Sequence, residues 1–158
     1  MLHSNAFLNL QQNILPLILV IEDSEEDYEI LQRCIRKSTI ECKLQHCETG
    51  EDALEYLYNR GDFQDSQKYY KPSLILLDLN LPAVDGREIL ETIKQDNILN
   101  TIPVVIFSTS SNPKDIQECY HKGANAYVIK PMDILLMREH INILLQHWLK
   151  VNTFQFRY

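Results

Sequence analysis

The chain lacks any apolar run long enough to cross a bilayer: its longest, ILPLILVI (residues 14–21) and VVIF (residues 104–107), fall far short of the roughly 20 residues a spanning helix needs. No membrane partner is expected. The N-terminal MLHSNAFLNLQQN has no basic region, apolar core or small-residue cleavage site, so the protein is expected to stay in the cytoplasm. Basic residues are outnumbered, 15 against 22 acids, for a net charge of −7. That sign opposes binding to nucleic acid, which is itself anionic. Four cysteines, Cys34, Cys42, Cys47 and Cys119, show no CxxC spacing and no matching histidine pattern, which argues against zinc and reads as reduced, packed thiols. The five histidines do not gather either; His140 and His147 share a helix face but stand two turns apart. Internal repeats and low-complexity segments are also absent.

What is present is alternation. With 158 residues, 45% of them apolar, the chain suits one well-cored domain and is short for two. Leu17–Ile21 is a continuous branched apolar run, as expected of a strand buried on both faces. Ser24 then offers an N-cap, and Tyr28, Leu31 and Ile35 recur at helical spacing, with acids in the first turn and Arg36 and Lys37 in the last. Lys43–Cys47 reads as a second strand and Gly50–Tyr58 as a second helix, with Ala53, Leu54 and Leu57 on one face. The segment from Asn59 to Pro72 has no sustained period and reads as a long surface loop, its Tyr69 and Tyr70 covering a neighbouring face. Leu74–Leu77, Ile102–Phe107 and Ala126–Ile129 complete five strands. Arg87–Gln95 and a segment from Pro113 to Lys122, ended by Gly123, supply two more helices. The last helix starts near Asp133 and is unusually apolar: Leu135, Ile141, Leu145 and Trp148 face the core, while Leu136, Ile143 and Leu144 spread beyond one stripe.

Five strand–helix units imply an α/β fold, a doubly wound parallel sheet whose ligand sites lie beyond the carboxyl ends of the strands. Those ends carry Glu22-Asp23, Asp78, Ser108-Thr109 and Lys130. Converging carboxylates repel one another and either protonate or recruit a cation. Oxygen-only ligands select a hard divalent ion, and a set of two or three carboxylates with open positions favours magnesium (Mg2+) over calcium. Ser108 supplies a hydroxyl and Lys130 a point positive charge, both suited to phosphoryl oxygens. Taken singly, each has a plain alternative: a turn or cap carboxylate, a turn hydroxyl, a solvated amine.

Together the motifs VIEDS, LILLDLNLPAVDG, VVIFSTS and AYVIKP resemble the response-regulator receiver domain of two-component signalling, over about Leu17 to Leu149. The resemblance implies a flavodoxin-like sheet of strand order 2-1-3-4-5, with residues 16–149 as the receiver, 1–15 as an N-terminal extension and 150–158 as a tail. It makes Asp78 the phosphoacceptor, and Glu22, Asp23, Asp78 and the Asn80 backbone carbonyl the Mg2+ ligands. Ser108 becomes the switch hydroxyl, Lys130 the partner of a phosphoryl oxygen and Tyr127 the switch aromatic. Asn80 and Ser110 flank the hydrolytic water, and Pro82, Asp85 and Gly86 form the turn after the acceptor. Glu22 and Ser108 depart mildly from the commoner Asp and Thr.

With only residues 151–158 after the last helix, a stand-alone receiver is expected, signalling to a protein partner or as a homodimer through the last two helices and fifth strand. The donor implied is a histidine kinase; the long loop and tail resemble the subgroup paired with bacterial phytochromes in cyanobacteria. The protein is then a signalling phosphoacceptor with self-catalysed chemistry rather than an enzyme acting on a foreign substrate. A haloacid-dehalogenase-like phosphatase would need an acid where Asn80 stands. A receiver fold binding without phosphorylation is the remaining alternative.

Overall fold

The computed structural model describes residues 15–65 and 70–153. Five parallel strands, β1 (Leu17–Ile21), β2 (Lys43–Cys47), β3 (Leu74–Leu77), β4 (Val104–Ser108) and β5 (Ala126–Ile129), form one sheet in the order β2-β1-β3-β4-β5. The expected α/β class and strand order are those observed. Helices α1 (Glu25–Arg36), α2 (Gly50–Leu57), α3 (Gly86–Gln95), α4 (Pro113–His121) and α5 (Ile134–Leu145) alternate with the strands.

Strand periodicity divides the interior in two. Leu19, Ile21, Ile75, Leu77 and Ile106 point to the face covered by α2, α3 and α4, while Ile18, Val20, Leu76, Val105 and Phe107 point to the face covered by α1 and α5. Because β1, β3 and β4 are buried on both faces, every residue in them is apolar until the last position of β4. Each fully buried Leu or Ile contributes roughly 1.5–3 kcal/mol. Polar groups are thereby pushed to the strand ends.

Local signals set the helix starts. Ser24, Thr49, Asp85, Asn112 and Asp133 cap the five helices, each accepting a backbone N–H of the first turn. Gly123, at φ +95°, ends α4 in a conformation that side chains rarely adopt.

Three expectations shift. The fourth strand begins at Val104, not Ile102: the Ile102 N–H closes a turn on the Leu99 carbonyl and Pro103 has no N–H to give. Leu135 is 71% exposed, while Met137 and Leu144 are buried. Leu135 stands about 200° around the helix from Met137, at 100° per residue, so one of the two must face water. Leu145 and Ile141 face the core as expected, Trp148 is half-buried, and Leu136 and Ile143 are exposed. Beyond Leu145 the helix continues as a π-helical turn, Gln146–Val151. In α2 Ala53 is buried as expected and Tyr56 is buried with it, its hydroxyl donating to the Tyr70 carbonyl at 2.6 Å, whereas Leu54 and Leu57 are only partly covered.

The expected long loop contains a short 3-10 turn, Gly61–Phe63, whose Phe63 ring meets Tyr56 edge-on. Tyr70 is exposed beneath the Lys43 ammonium, and Tyr69 lies outside the described residues. So do most of the expected terminal extensions. Among the described residues no helix is long and apolar enough to cross a membrane.

All four cysteines are free, as expected, and burial pushes the Cys42 thiol up to about 11 and the Cys47 thiol up to about 12. A thiol that stays protonated in the fold but ionises at its ordinary value of 9.0 when unfolded contributes stability that is complete below that value and is lost as pH rises toward the folded pKa. Denaturant melts between pH 8.5 and 11 are therefore expected to show falling stability, and Cys47→Ala is expected to flatten the decline; an unchanged slope in the variant refutes this assignment.

Candidate functional site

The carboxyl ends of β1, β3 and β5 converge where the sheet order reverses between β1 and β3, the place at which open α/β sheets bind ligands. Glu22 follows β1 and Asp78 follows β3; they are 3% and 6% exposed. Lys130, directly after β5 and 7% exposed, reaches across to both. Its Nζ donates to Glu22 Oε2 at 2.6 Å, to Asp78 Oδ2 at 2.8 Å and to Asp27 Oδ2 at 2.9 Å. The Lys130 backbone N–H donates to the Ser108 carbonyl at 2.8 Å, which pins the lysine to the end of β4.

The carboxylates are oriented by backbone donors. Asp78 Oδ1 accepts the Asn80 N–H at 3.2 Å, and Glu22 Oε1 accepts the Ser24 N–H at 3.1 Å. The Glu22 carbonyl accepts from His46 Nε2 at 2.7 Å, and the His46 ring stacks on Tyr28 with centroids 3.7 Å apart. Burial raises the Glu22 carboxyl above the usual range, only partly offset by Lys130. Burial alone would depress Lys130, yet hydrogen bonds to Asp78, Glu22 and Asp27 reverse it and hold the ammonium above the ordinary lysine value.

The loop after Asp78 comes back tightly upon it. Ala83 adopts φ 64°, an uncommon conformation for a residue with a Cβ. At Gly86 a Cβ would overlap the Asp78 carbonyl oxygen and lie 2.7 Å from the Leu79 Cα. Backbone approaches that closely only because the side chain is missing.

Around the neighbouring loop, Ser108 is fully buried at the end of β4 and its Oγ accepts the Ser110 N–H at 3.4 Å. The Tyr127 hydroxyl donates to the Ser110 carbonyl at 2.9 Å, so the ring is turned inward and half-buried. Ser110 Oγ donates to Asp115 at 2.6 Å, and Arg87 joins Asp115 and Asp85, each at 2.8 Å.

Of the residues singled out from the sequence, Glu22, Asp78 and Lys130 are brought into direct contact. Asp23 and Asn80 are exposed beside them, and Ser108 and Tyr127 sit one and two strands away. In sequence Asp27 is one of three first-turn acids of α1, and only Lys130 distinguishes it from Glu25 and Glu26. His46, Arg87 and Asp115 carry no sequence signal beyond their charge.

The donor set suits a hard cation. Carboxylate oxygens of Glu22, Asp27 and Asp78 lie within 4.8 Å of one another, with no nitrogen or sulfur ligand among them, and the Lys130 ammonium holds the point all three share, so a metal would draw on Glu22 and Asp78 and leave Asp27 to the lysine.

A strand-end carboxylate paired with a buried lysine, on a sheet of this order, defines a receiver-type α/β domain. The chain belongs to the response-regulator receiver family, whose model matches residues 18–142. It is 36% identical over 137 residues to the response regulator Rcp1 of Synechocystis sp., covering 87% of this chain and 91% of Rcp1. Among solved structures it resembles the phosphorylated cyanobacterial phytochrome response regulator RcpA, with TM-score 0.83 and 34% identity over 90% of this chain and 99% of that one. It also resembles the response regulator RPA3017 in red light signaling of R. palustris, with TM-score 0.85 and 35% identity over 90% and 100%. Rcp1 has been solved in a Mn2+-bound form. Receiver domains of this family bind a divalent metal and act as signalling regulators rather than as enzymes in the ordinary sense.

Removing one partner of a buried ion pair leaves the others uncompensated and costs about 3–5 kcal/mol. Lys130→Met is expected to lower unfolding free energy by about that much at neutral pH, and by less at pH 4, where the Glu22 carboxyl, raised by burial, takes up a proton. A melt indistinguishable from wild type at neutral pH refutes this account.

Proposed function

We propose that the protein is a phosphoacceptor switch: Asp78 takes a phosphoryl group from a histidine kinase, and the acyl phosphate changes the conformation read by a protein partner. The observation carrying this reading is the buried Asp78–Lys130 pair at the end of the central strand, in a chain of receiver type.

In the transfer, an Asp78 carboxylate oxygen attacks phosphorus, and the bond from phosphorus to the donor's imidazole nitrogen breaks with its electron pair leaving on nitrogen. Lys130 donates to one phosphoryl oxygen and Ser108 to another, so charge developing on transfer meets preset donors. Glu22, Asp23, Asp78 and the Asn80 carbonyl would hold magnesium, which when bound neutralises charge on the carboxylate and phosphoryl oxygens. Hydrolysis reverses the state: water attacks phosphorus, the bond to the Asp78 oxygen breaks, and inorganic phosphate leaves. Asn80 and Ser110 flank that route and set the lifetime of the signal.

Once Ser108 turns toward a phosphoryl oxygen, the loop that carries Ser110 moves with it, and the Tyr127 hydroxyl loses its present acceptor. The ring then shifts inward or outward with the loop, which couples chemistry at β3 to the α4–β5–α5 surface by a change in population. That surface is apolar: Tyr120, Ile129, Leu135, Leu136 and Ile143 are all exposed. Its partner is a second copy of the chain, formed through α4, β5 and α5. Similarity to the phytochrome regulators supports a light-regulated histidine kinase as donor.

Incubation with acetyl phosphate and magnesium is expected to add one phosphoryl group to the wild-type chain and none to Asp78→Asn, and chelation is expected to stop the reaction. Undiminished labelling of the variant, or in chelator, sinks the reading; labelling of neither leaves a binding module that works without phosphorylation. Sedimentation of the phosphorylated protein is expected to show dimers that Ile143→Glu abolishes, and a monomer throughout refutes the dimer face.

A further inference from the structure

Lys130 is fully spoken for. An ammonium has three N–H donors, and here all three are used, on Glu22, Asp78 and Asp27. The function proposed above requires the lysine to free a donor for a phosphoryl oxygen while Glu22 and Asp78 turn toward a cation. Losing both buried partners at once would leave a buried ammonium without a counter-ion, a costly state.

Asp27 differs from the other two carboxylates in ways that resolve this conflict. Its side chain is 40% exposed, against 4% for Glu22 and 7% for Asp78, so water already solvates part of its charge. It belongs to a helix rather than a strand end, and its backbone N–H is held by the Ser24 hydroxyl at 3.2 Å. The capped first turn of α1 therefore keeps Asp27 in place whatever Glu22 and Asp78 are bound to.

Resting on that function, we propose that Asp27 is a positioning residue, the holding partner that keeps the Lys130 ammonium at the site while its other two donors are released. Asp27 does not touch the phosphoryl group; it acts through Lys130. The first turn of α1 is thereby a working part of the site and not only a helix start with favourable charge.

The test is NMR observation of the Lys130 ammonium, which gives a resonance only while hydrogen bonding shields it from exchange with water. In the magnesium-free state, wild type and Asp27→Asn are both expected to show it, since Glu22 and Asp78 still hold it. On saturation with magnesium the wild-type resonance is expected to shift and persist, that of Asp27→Asn to disappear, and that of Asp27→Glu, which retains a carboxylate within reach, to persist. A resonance that survives magnesium in Asp27→Asn, or vanishes in wild type, overturns the proposal. Spectra that ignore magnesium in every variant overturn the metal-binding reading itself, and this role with it.

Discussion

The constraint on which this molecule depends is one ammonium held where water scarcely reaches. Unit charges about 4 Å apart attract by about 4 kcal/mol at an effective dielectric of about 20, but burying them costs several kcal/mol each. Such a group is tolerable only with its donors satisfied, and Lys130 meets that condition by gathering acids from β1, β3 and α1. Those elements must then be adjacent in space. The order β2-β1-β3-β4-β5 places β1 beside β3, while the bond from the Lys130 backbone to Ser108 fixes β5 to β4 at the same end. The sheet order and the charge cluster are two aspects of one requirement.

A second network ties the loop after β4 to the turn after Asp78. Arg87, in the first turn of α3, bonds to Asp85 just before it and to Asp115 across the gap, and Asp115 accepts from Ser110. The Ser110 carbonyl in turn holds Tyr127. A displacement of Ser108 therefore disturbs groups on β5, α3 and α4 together. The arrangement has discrete partners to lose and regain, which suits a two-state element better than a gradually deformable one.

Much of this was readable in the sequence because the features are local. Leu17–Ile21 and Leu74–Leu77 are unbroken apolar runs ended by acids, Pro113 and Gly123 bracket α4, and Ser24 and Asp133 precede their helices at capping distance. What was not readable depends on distance through space. Asp27 looks like any first-turn acid until a lysine more than a hundred residues later reaches it. Leu135 and Met137 are equally apolar, and only the orientation of α5 against β1 and β4 decides that the methionine is covered. Tyr56 counts as amphipathic in isolation; it is buried in the core against Phe63, and the Tyr70 carbonyl satisfies its hydroxyl there.

The separation of the interior into strand ends and helical faces has a consequence for divergence. The acids and the lysine of the charge cluster project from the edge of the sheet or from the first turn of α1, whereas the exposed apolar residues of α5 make no hydrogen bond to that cluster. On the function proposed above, substitution on α5 changes what that surface meets and leaves the charge cluster intact. Duplicates of such a chain can then differ on α5 while inheriting the same chemistry at the strand ends.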